Sequence, residues 1–187
     1  MDAVIRPLRE TDRPAVARLL DDAVGAGFWR VADGADATSF VAVSGTGEGA
    51  GVVLACLEPA GDPDAQTALN GSSAAGAAAG ALVLHVRQLA VAPAARRSGL
   101  ASRLLARTEA EALARGATAA YAFGWLPAGR PEPDAVPFYS AAGYEARPDI
   151  PGFYAESSLA TGARCPYCGE PPCRCAARPF VKALGPG

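Results

Sequence analysis

One loop of the sequence combines residue types that bind an anionic phosphate. Residues 91–101 read VAPAARRSGLA and connect an apolar strand to a predicted helix. The first amides of a helix have no internal acceptors, so they can donate to a pyrophosphate. Gly99 lets a ligand approach the backbone, and Arg96 and Arg97 can donate charge-assisted hydrogen bonds. Ser98 can either cap the helix or bind the ligand. An ordinary capped helix after a strand is the alternative interpretation.

A cysteine cluster near the end of the sequence could bind a metal. Residues 165–175 read CPYCGEPPCRC, which is Cys-x2-Cys followed by Cys-x-Cys. Four thiolates suit tetrahedral zinc, and a complete ligand set predicts a structural site. Disulfides, reversible redox pairs and an iron–sulfur cluster are the alternatives. The predicted zinc ligands are Cys165, Cys168, Cys173 and Cys175, whereas Cys56 lies in an apolar strand and is predicted to be core.

Two ordered motifs resemble those of the GNAT superfamily of N-acetyltransferases. In the loop, Val-x-Pro followed by Arg-x-x-Gly-x-Ala resembles the acyl-CoA loop of that family, with Ala101 where a glycine is commoner. Residues 135–144, AVPFYSAAGY, resemble the second signature of the family, a short helix carrying Phe-Tyr followed by Gly-aromatic. Glu132 and Pro137 are departures from that second signature.

The resemblance implies transfer of an acetyl group from acetyl-CoA to an amine that attacks directly when both are held in one cleft. It assigns the backbone amides of Leu89, Ala90 and Val91 to the pantetheine arm and the thioester carbonyl. Tyr139 matches the tyrosine that protonates the departing thiolate. The full set of predicted cofactor-binding residues is Leu89, Ala90, Val91, Arg96, Arg97, Ser98, Gly99, Leu100 and Ala101.

His85 is the only histidine of the chain and a candidate general base. Strand alternation predicts that it shares a face with Arg87, Leu89 and Val91. Some members of the resembled family carry a glutamate or histidine base at the equivalent strand position, and an imidazole suits that role. The alternatives are a chain of water molecules and a structural histidine.

The elements that must position these groups form a mixed α/β pattern. Hydrophobic periodicity alone predicts a mixed α/β domain, and the element order β, α, βββ, α, β, α, ββ read along the chain matches the resemblance. The resemblance implies a mostly antiparallel central sheet flanked by helices, with a small C-terminal cysteine-rich element. The predicted strands cover residues 3–7, 39–43, 52–57, 82–91, 118–123, 144–146 and 153–159. Helices are predicted after Thr11-Asp12, over 100–115 and around Tyr139.

Length and composition predict one domain, and the resemblance implies an acetyltransferase domain over residues 1–160. The cysteine spacing predicts a zinc-binding tail over residues 161–187. The chain has 187 residues, of which 50% are hydrophobic. Residues 60–80 are rich in glycine and alanine and are predicted to be a flexible, inert spacer. The net charge of −2 opposes a broad nucleic-acid-binding face, and no apolar run is long enough for a membrane span. Without a signal peptide the protein is predicted to be cytoplasmic.

The predicted partner is a small-molecule or peptide amine, and a homodimer is a candidate assembly. The cleft that binds the amine is predicted from residues 25–32, 125–137 and 147–154. Phe28, Trp29, Trp125 and Phe153 are its candidate walls. The alternative function is a catalytically silent acyl-CoA-binding module whose zinc tail binds a protein.

Overall fold

A seven-stranded sheet organises the chain, with strand order β1-β2-β3-β4-β5-β7-β6. The computed structural model describes residues 3–25, 28–29, 31, 36–43, 49–72, 74 and 80–185. All neighbouring strands are antiparallel except β4 and β5, which are parallel and joined through α3. The strands are β1 (Val4–Pro7), β2 (Phe40–Val43), β3 (Gly49–Pro59), β4 (Leu82–Val91), β5 (Ala117–Leu126), β6 (Glu145–Ala146) and β7 (Ala176–Ala183). The predicted mixed, mostly antiparallel fold is confirmed.

Helices cover both faces of the sheet. They are α1 (Arg13–Val24), α2 (Pro63–Leu69), α3 (Leu100–Ala114), α4 (Val136–Ala141) and α5 (Ala155–Thr161). On one face, α3 buries Leu100, Leu104 and Leu105 against the central strands. On the other face, α1 packs Val16 and Leu20 against β3. No described helix has both the length and the apolar character that a membrane crossing requires.

A β-bulge in β4 corrects the predicted alternation of that strand. Leu54 pairs with Gln88 while the next residue of β3, Ala55, pairs with Val86, so β4 carries one extra residue at this point. Leu89 and Val91 therefore pack on the α3 face with Val86. His85 points to the opposite face, so it does not share a face with Leu89 and Val91 as strict alternation predicts.

The region predicted to be a flexible spacer contains helix α2. The Asp62 carboxylate accepts a hydrogen bond from the Asp64 amide, and Pro63 occupies the first turn, so both signals for a helix start are present. Ala65, Ala68 and Leu69 are buried against β5 and β7. The flexible-loop expectation is therefore wrong for this part of residues 60–80, because two alanines and a leucine supply a buried apolar face.

The C-terminal segment also differs from the prediction. Residues 153–159 were expected to be a strand, but Gly152 turns the chain at a φ of 66° and α5 follows. The strand that completes the sheet is instead β7, which lies between β5 and β6 and buries Phe180 and Val181 completely. A boundary after residue 160 would separate β7 from the sheet to which it belongs.

Candidate active site

The divergence of β4 from β5 opens a cleft in the sheet. Their paired residues end at Val86 with Ala122, although β4 continues to Val91 and β5 continues to Leu126 alongside β7. Backbone groups of β4 beyond Val86 therefore face the cleft without a β5 partner. The cleft has a volume of about 1120 Å³. Its geometry suits an extended arm that hydrogen-bonds to one strand edge.

Residues 91–101, which we call the phosphate loop, form one end of this cleft. Helix α3 begins at Leu100 behind Gly99, which has a φ of 76°, and Arg97 also has a positive φ of 59°. Arg96 donates from Nε to the carbonyl of Val91 at 3.1 Å, so its side chain folds back over the end of β4. A side chain at Gly99 would meet nothing within 4 Å, which leaves the space before α3 open. The first amides of α3 can bind an anion there.

The predicted cofactor residues occupy three kinds of position relative to the cleft. Arg97, Ser98 and Gly99 are exposed in the turn, whereas Leu100 is buried in the core. Ser98 does not cap α3, since its hydroxyl donates to the carbonyl of Ala95 at 2.7 Å. Of the predicted cofactor residues, those that line the cleft are Leu89, Ala90, Val91, Arg96 and Ala101.

Tyr139 lies on α4 and lines the cleft between its two ends. Its ring stacks on Phe180 of β7 at a centroid distance of 4.8 Å and an angle of 21°. Burial, with a smaller contribution from the negative charge of Glu109, raises the pKa of Tyr139 above its ordinary value. The phenol is therefore protonated at neutral pH and can donate its proton.

His85 also lines the cleft, and its imidazole contacts Glu58 of β3. The Nδ1 atom lies 3.0 Å from Glu58 Oε1, and both side chains are about nine-tenths buried. The same oxygen accepts hydrogen bonds from Arg87 at 3.1 Å and from the Cys56 thiol at 3.1 Å. The other oxygen accepts from the Tyr121 hydroxyl. One buried carboxylate thus joins β3, β4 and β5.

Opposing effects act on the titration of this buried network. Burial favours the neutral form of Glu58, but hydrogen bonds from His85, Tyr121 and Cys56 outweigh it and hold the pKa of the carboxyl well below its ordinary value. Burial and the neighbouring Glu58 raise the pKa of Cys56 to about 12. Glu58 is therefore a carboxylate and Cys56 a thiol at neutral pH.

Aromatic side chains form the wall at the other end of the cleft. Phe28 lies 4.8 Å from Trp125 between ring centroids, and Trp125 lies 5.3 Å from Tyr154. Phe153 contacts Phe123 at 4.4 Å. The predicted wall residues all line the cleft: Phe28, Trp29, Trp125 and Phe153. The rest of segment 25–32 lies in part outside the described residues.

Sequence reasoning missed several groups that line the cleft or lie directly behind it. Glu58 is the one charged residue in the otherwise apolar strand β3. That single carboxylate was the only indication in the sequence of a buried polar network. Gln88 donates from its amide to the carbonyl of Phe28 at 3.4 Å. Its buried Oε1 has no hydrogen-bond partner among the described residues. Asp64 of α2 also lines the cleft, so part of the supposed spacer contributes to the site.

The four clustered cysteines bring their sulfur atoms together. The Sγ atoms of Cys165 and Cys175 are 3.7 Å apart, and Cys168 lies 3.3 Å from Cys175 and 4.0 Å from Cys173. Sulfurs bound tetrahedrally to zinc at about 2.3 Å lie roughly 3.8 Å from one another. Disulfide sulfurs would be about 2.05 Å apart, so the observed cluster contains no disulfide. The donor set and spacing fit a tetrahedral metal site.

Backbone hydrogen bonds shape this cysteine cluster. The amides of Tyr167 and Cys168 donate to the Cys165 sulfur at 3.4 and 3.3 Å, and the amide of Arg174 donates to the Cys168 sulfur at 3.4 Å. Cys165 and Gly169 exchange two backbone hydrogen bonds that close a tight turn. Donors directed at sulfur stabilise thiolates, which are the form that binds a metal.

The cysteine cluster packs directly behind the aromatic wall. Cys165, Cys173 and Cys175 are buried against Phe28, Trp125 and Tyr154. The buried indole N–H of Trp125 makes no hydrogen bond among the described residues. Burial raises the pKa of Cys175 to about 11, and the nearby indole offsets only part of that rise. The amide of Cys173 donates to the Ser158 hydroxyl of α5 at 2.8 Å. The cluster therefore supports the side chains that line the cleft.

Comparison with protein families gives one match. The family described as acetyltransferase (GNAT) domain matches residues 35–146. The matched segment covers β2 to β6 and includes the phosphate loop, His85 and Tyr139. No curated protein sequence matches the chain significantly.

Solved structures share the fold over nearly the whole chain. Arabidopsis thaliana NAA60 in complex with acetyl-CoA has a TM-score of 0.70 at 16% identity, covering 98% of this chain and 99% of that one. The ribosomal-protein-S18-alanine N-acetyltransferase from Escherichia coli has a TM-score of 0.62 at 15% identity, covering 100% and 96%. Arylalkylamine N-acetyltransferase 2 from Aedes aegypti has a TM-score of 0.62 at 17% identity, covering 99% and 100%.

Proposed function

The chain belongs to the GNAT acetyltransferase family, and we propose that it transfers an acetyl group from acetyl-CoA to a primary amine of a small molecule or peptide. The observation that carries this proposal is the divergence of β4 and β5 beside the phosphate loop. An exposed strand edge and a helix N-terminus at one end of the same cleft match the two parts of coenzyme A, an amide-containing arm and a pyrophosphate. A structural neighbour that holds acetyl-CoA supports the choice of cofactor.

The cofactor would use backbone groups and arginine side chains. Amides of Leu89, Ala90 and Val91 would bind the pantetheine arm and polarise the thioester carbonyl, as preorganised donors do in an oxyanion hole. The amides of Gly99, Leu100 and Ala101 would bind the pyrophosphate, with Ser98 beside them. Arg96 and Arg97 would add charge-assisted hydrogen bonds to phosphate oxygens.

The reaction would proceed by direct attack. His85 would take a proton from the ammonium group, and the neutral amine nitrogen would then attack the thioester carbonyl carbon. The tetrahedral intermediate would collapse as the carbon–sulfur bond breaks and the electron pair stays on sulfur. Tyr139 would protonate that thiolate and recover a proton from the nitrogen, which carries a positive charge after the attack. The products would be the acetylated amine and CoA thiol, and the proton held by His85 would pass to solvent.

The wall opposite the phosphate loop suits an acceptor with an apolar part beside its amine. Aromatic rings contribute contact area, and the carboxylates of Asp64 and Glu156 line the same cleft and attract a cation, whereas Asp134 is already paired with Arg130 at 2.6 Å. The structurally similar proteins include enzymes named for either class of acceptor, peptide or small molecule. One is a ribosomal-protein-S18-alanine N-acetyltransferase and another is an arylalkylamine N-acetyltransferase. A test panel must therefore contain peptides and small amines.

The cysteine cluster would hold a structural zinc ion. All four side chains would be ligands, so no open position would remain for substrate and the metal would take no part in the chemistry. Its contribution would be to hold residues 165–175 behind the aromatic wall, where the apolar contacts with Trp125 and Tyr154 occur. About one zinc ion per chain is the expected content.

Two glycine substitutions test cofactor binding with a matched control. Gly99 and Gly116 flank α3, have φ of 76° and 88°, and have no atoms within 4 Å of an added Cβ. A valine at either position costs similar backbone strain, about 1–3 kcal/mol. We expect Gly99→Val to weaken acetyl-CoA binding at least tenfold in calorimetry and Gly116→Val to leave it unchanged. Equal binding by all three proteins would place the cofactor elsewhere.

Release of CoA thiol with the amine panel separates the enzyme from the silent-module alternative. Thiol release that requires both acetyl-CoA and an amine supports the transferase. Binding of acetyl-CoA without thiol release on the panel, together with capture of a protein through residues 161–175, would favour the silent module.

A further inference from the structure

We propose that Glu58 is a positioning residue that holds His85 in the tautomer with a proton on Nδ1 and a lone pair on Nε2. The inference rests on the proposed function, in which His85 accepts the proton of the amine. Glu58 itself does not line the cleft, whereas His85 does. The carboxylate thus acts from behind the imidazole rather than on the substrate.

The hydrogen bonds that the Glu58 carboxylate accepts determine which nitrogen of neutral His85 carries the proton. Arg87 and Tyr121 each bring a donor to Glu58, and the Cys56 thiol does the same. An ionised carboxylate only accepts hydrogen bonds, so a ring nitrogen 3.0 Å from it must carry a proton. The Nδ1 atom is therefore the protonated nitrogen, and Nε2 is left with the lone pair that a base requires.

Ring contacts fix the plane of the imidazole. His85 stacks on Tyr121 with centroids 4.3 Å apart and planes 24° apart, and Phe123 meets it edge-on at 5.9 Å. Tyr121 donates to the same carboxylate that binds His85, so one network sets both the plane and the in-plane rotation of the ring. A base held in this way loses little conformational freedom during proton transfer.

The charge of Glu58 also favours the product of proton transfer. When Nε2 takes a proton, the imidazolium that forms lies against a buried carboxylate, which stabilises it as in other carboxylate–histidine pairs. Arg87 offsets part of this effect because its guanidinium contacts Glu58 and the Cys56 sulfur. The same cation opposes a metal ion on Cys56, Glu58 and His85, although their ligand atoms lie within 4.8 Å of one another.

The single histidine makes the tautomer measurable. Imidazole nitrogen NMR of isotope-labelled protein gives the signals of one ring only, because His85 is the only histidine. At a pH where the ring is neutral, we expect the wild-type protein to show a protonated Nδ1 and a bare Nε2. A wild-type protein with the proton on Nε2 would overturn the proposal whether or not an acceptor amine has been found.

Substitutions then test the role in turnover. We expect Glu58→Gln to populate the other tautomer and to lower kcat by on the order of 10²-fold, with the Kd of acetyl-CoA unchanged. In a His85→Ala background, Glu58→Gln should cause no further loss, because it acts through the imidazole. Tyr121→Phe is the matched control, since it removes one donor but keeps the Glu58–His85 contact, and it should keep the wild-type tautomer.

The outcomes separate the two proposals. A correct tautomer with equal kcat for wild type and Glu58→Gln would overturn the positioning role. A further loss from Glu58→Gln without His85 would do so as well, because it would show a role independent of the imidazole. Absence of turnover in the wild-type protein would instead contradict the proposed function, and the NMR result would still decide the tautomer.

Discussion

The two ends of the cleft are built in different ways. The phosphate end uses one contiguous stretch from β4 through the first turn of α3, and the groups proposed to bind the cofactor there are largely backbone amides. The acceptor end uses side chains from distant segments, with Phe28 after α1, Trp125 at the end of β5 and Tyr154 before α5. A diphosphate can be bound by local chain geometry, whereas a variable amine needs a surface assembled by the fold.

The cysteine cluster belongs to the acceptor end. Gly25 at the end of α1 approaches Pro166, and a Cβ at Gly25 would lie 3.3 Å from the proline ring. Trp125 contacts the rings of Tyr154 and Tyr167, which lie before and within the cluster segment. The cluster therefore supports the aromatic wall, which is the surface that would distinguish acceptors. The contacts described for it do not include the phosphate loop.

The largest predicted effect lies where the two ends meet. We expect Tyr139→Phe to lower kcat by roughly 10²- to 10⁴-fold, because the thiolate would leave without a proton donor. Its Kd for acetyl-CoA should stay unchanged, since the phenol contributes to neither the phosphate loop nor the edge of β4. Steady-state kinetics and calorimetry measure the two quantities separately.

Tyr144→Phe is the control for that substitution. Tyr144 is also buried, lies 5.1 Å from Tyr139 between ring centroids, and donates to Glu109 at 2.8 Å. It should lose about 1 kcal/mol of stability and keep near wild-type kcat. Similar kcat values for both variants would assign Tyr139 a packing role.

Loss of the proposed zinc ion tests whether the two ends of the cleft behave independently. We expect Cys173→Ser to lower the zinc content and to raise the KM of the amine by roughly tenfold, which corresponds to about 1.4 kcal/mol. The Kd of acetyl-CoA should change little, because the cluster packs only behind the aromatic wall. Metal analysis, kinetics and calorimetry on one preparation give all three values.

Cys56→Ser is the matched control for the metal experiment. Cys56 lies in β3 and contacts Glu58 rather than the cluster, so the variant should keep its zinc. Equal losses of acetyl-CoA and amine binding in Cys173→Ser would show that the cleft behaves as one unit and would end the distinction between its two ends.

The smallest predicted effect is the contribution of Glu58 to the pH dependence of the free energy of unfolding. Glu58 has a lowered pKa in the folded protein, so the unfolded chain takes up the proton first as the pH falls. Its contribution to stability is complete above the unfolded pKa of about 4.3 and is lost as the pH falls from there toward the lower folded pKa. The free energy of unfolding of Glu58→Gln should therefore fall less steeply than that of wild type below about pH 4.3.

Urea unfolding between about pH 3 and 6 measures this difference. The four clustered cysteines are the same in both proteins, so subtraction removes their contribution and leaves that of Glu58 together with His85, which contacts it. Parallel curves for the two proteins would contradict the lowered pKa. The comparison also needs no acceptor amine, because it measures the buried network directly.

Much of the phosphate end could be predicted from residue type and spacing. The apolar run of β4, the proline after it and the buried face of α3 are local signals, and both β4 and α3 formed where the sequence pattern placed them. The bulge at Arg87 could not be predicted, because it depends on which residues of β3 pair with β4. That pairing decides that His85 faces Glu58 and not the α3 core.

Other parts of the acceptor end needed the tertiary structure. Aromatic residues around Phe153 favour a strand locally, but Ser158 is buried and its hydroxyl accepts the Cys173 amide, so a helix forms against the cluster. Residues 176–183 follow the cysteines directly, yet they become an internal strand because Phe180 and Val181 fill the core beside β5.

The sequence by itself determined the groups whose local structure depends on residues nearby in the chain. These are the turn before α3, helix α4 with Tyr139, and the four cysteines with their short spacings. Only the tertiary structure decided which side chains meet across the sheet, including Glu58 with His85 and the cysteine cluster with Trp125. The physical reason is the range of the forces involved. Helix starts and turns are set within a few residues, whereas burial and strand pairing join residues that are far apart in the chain.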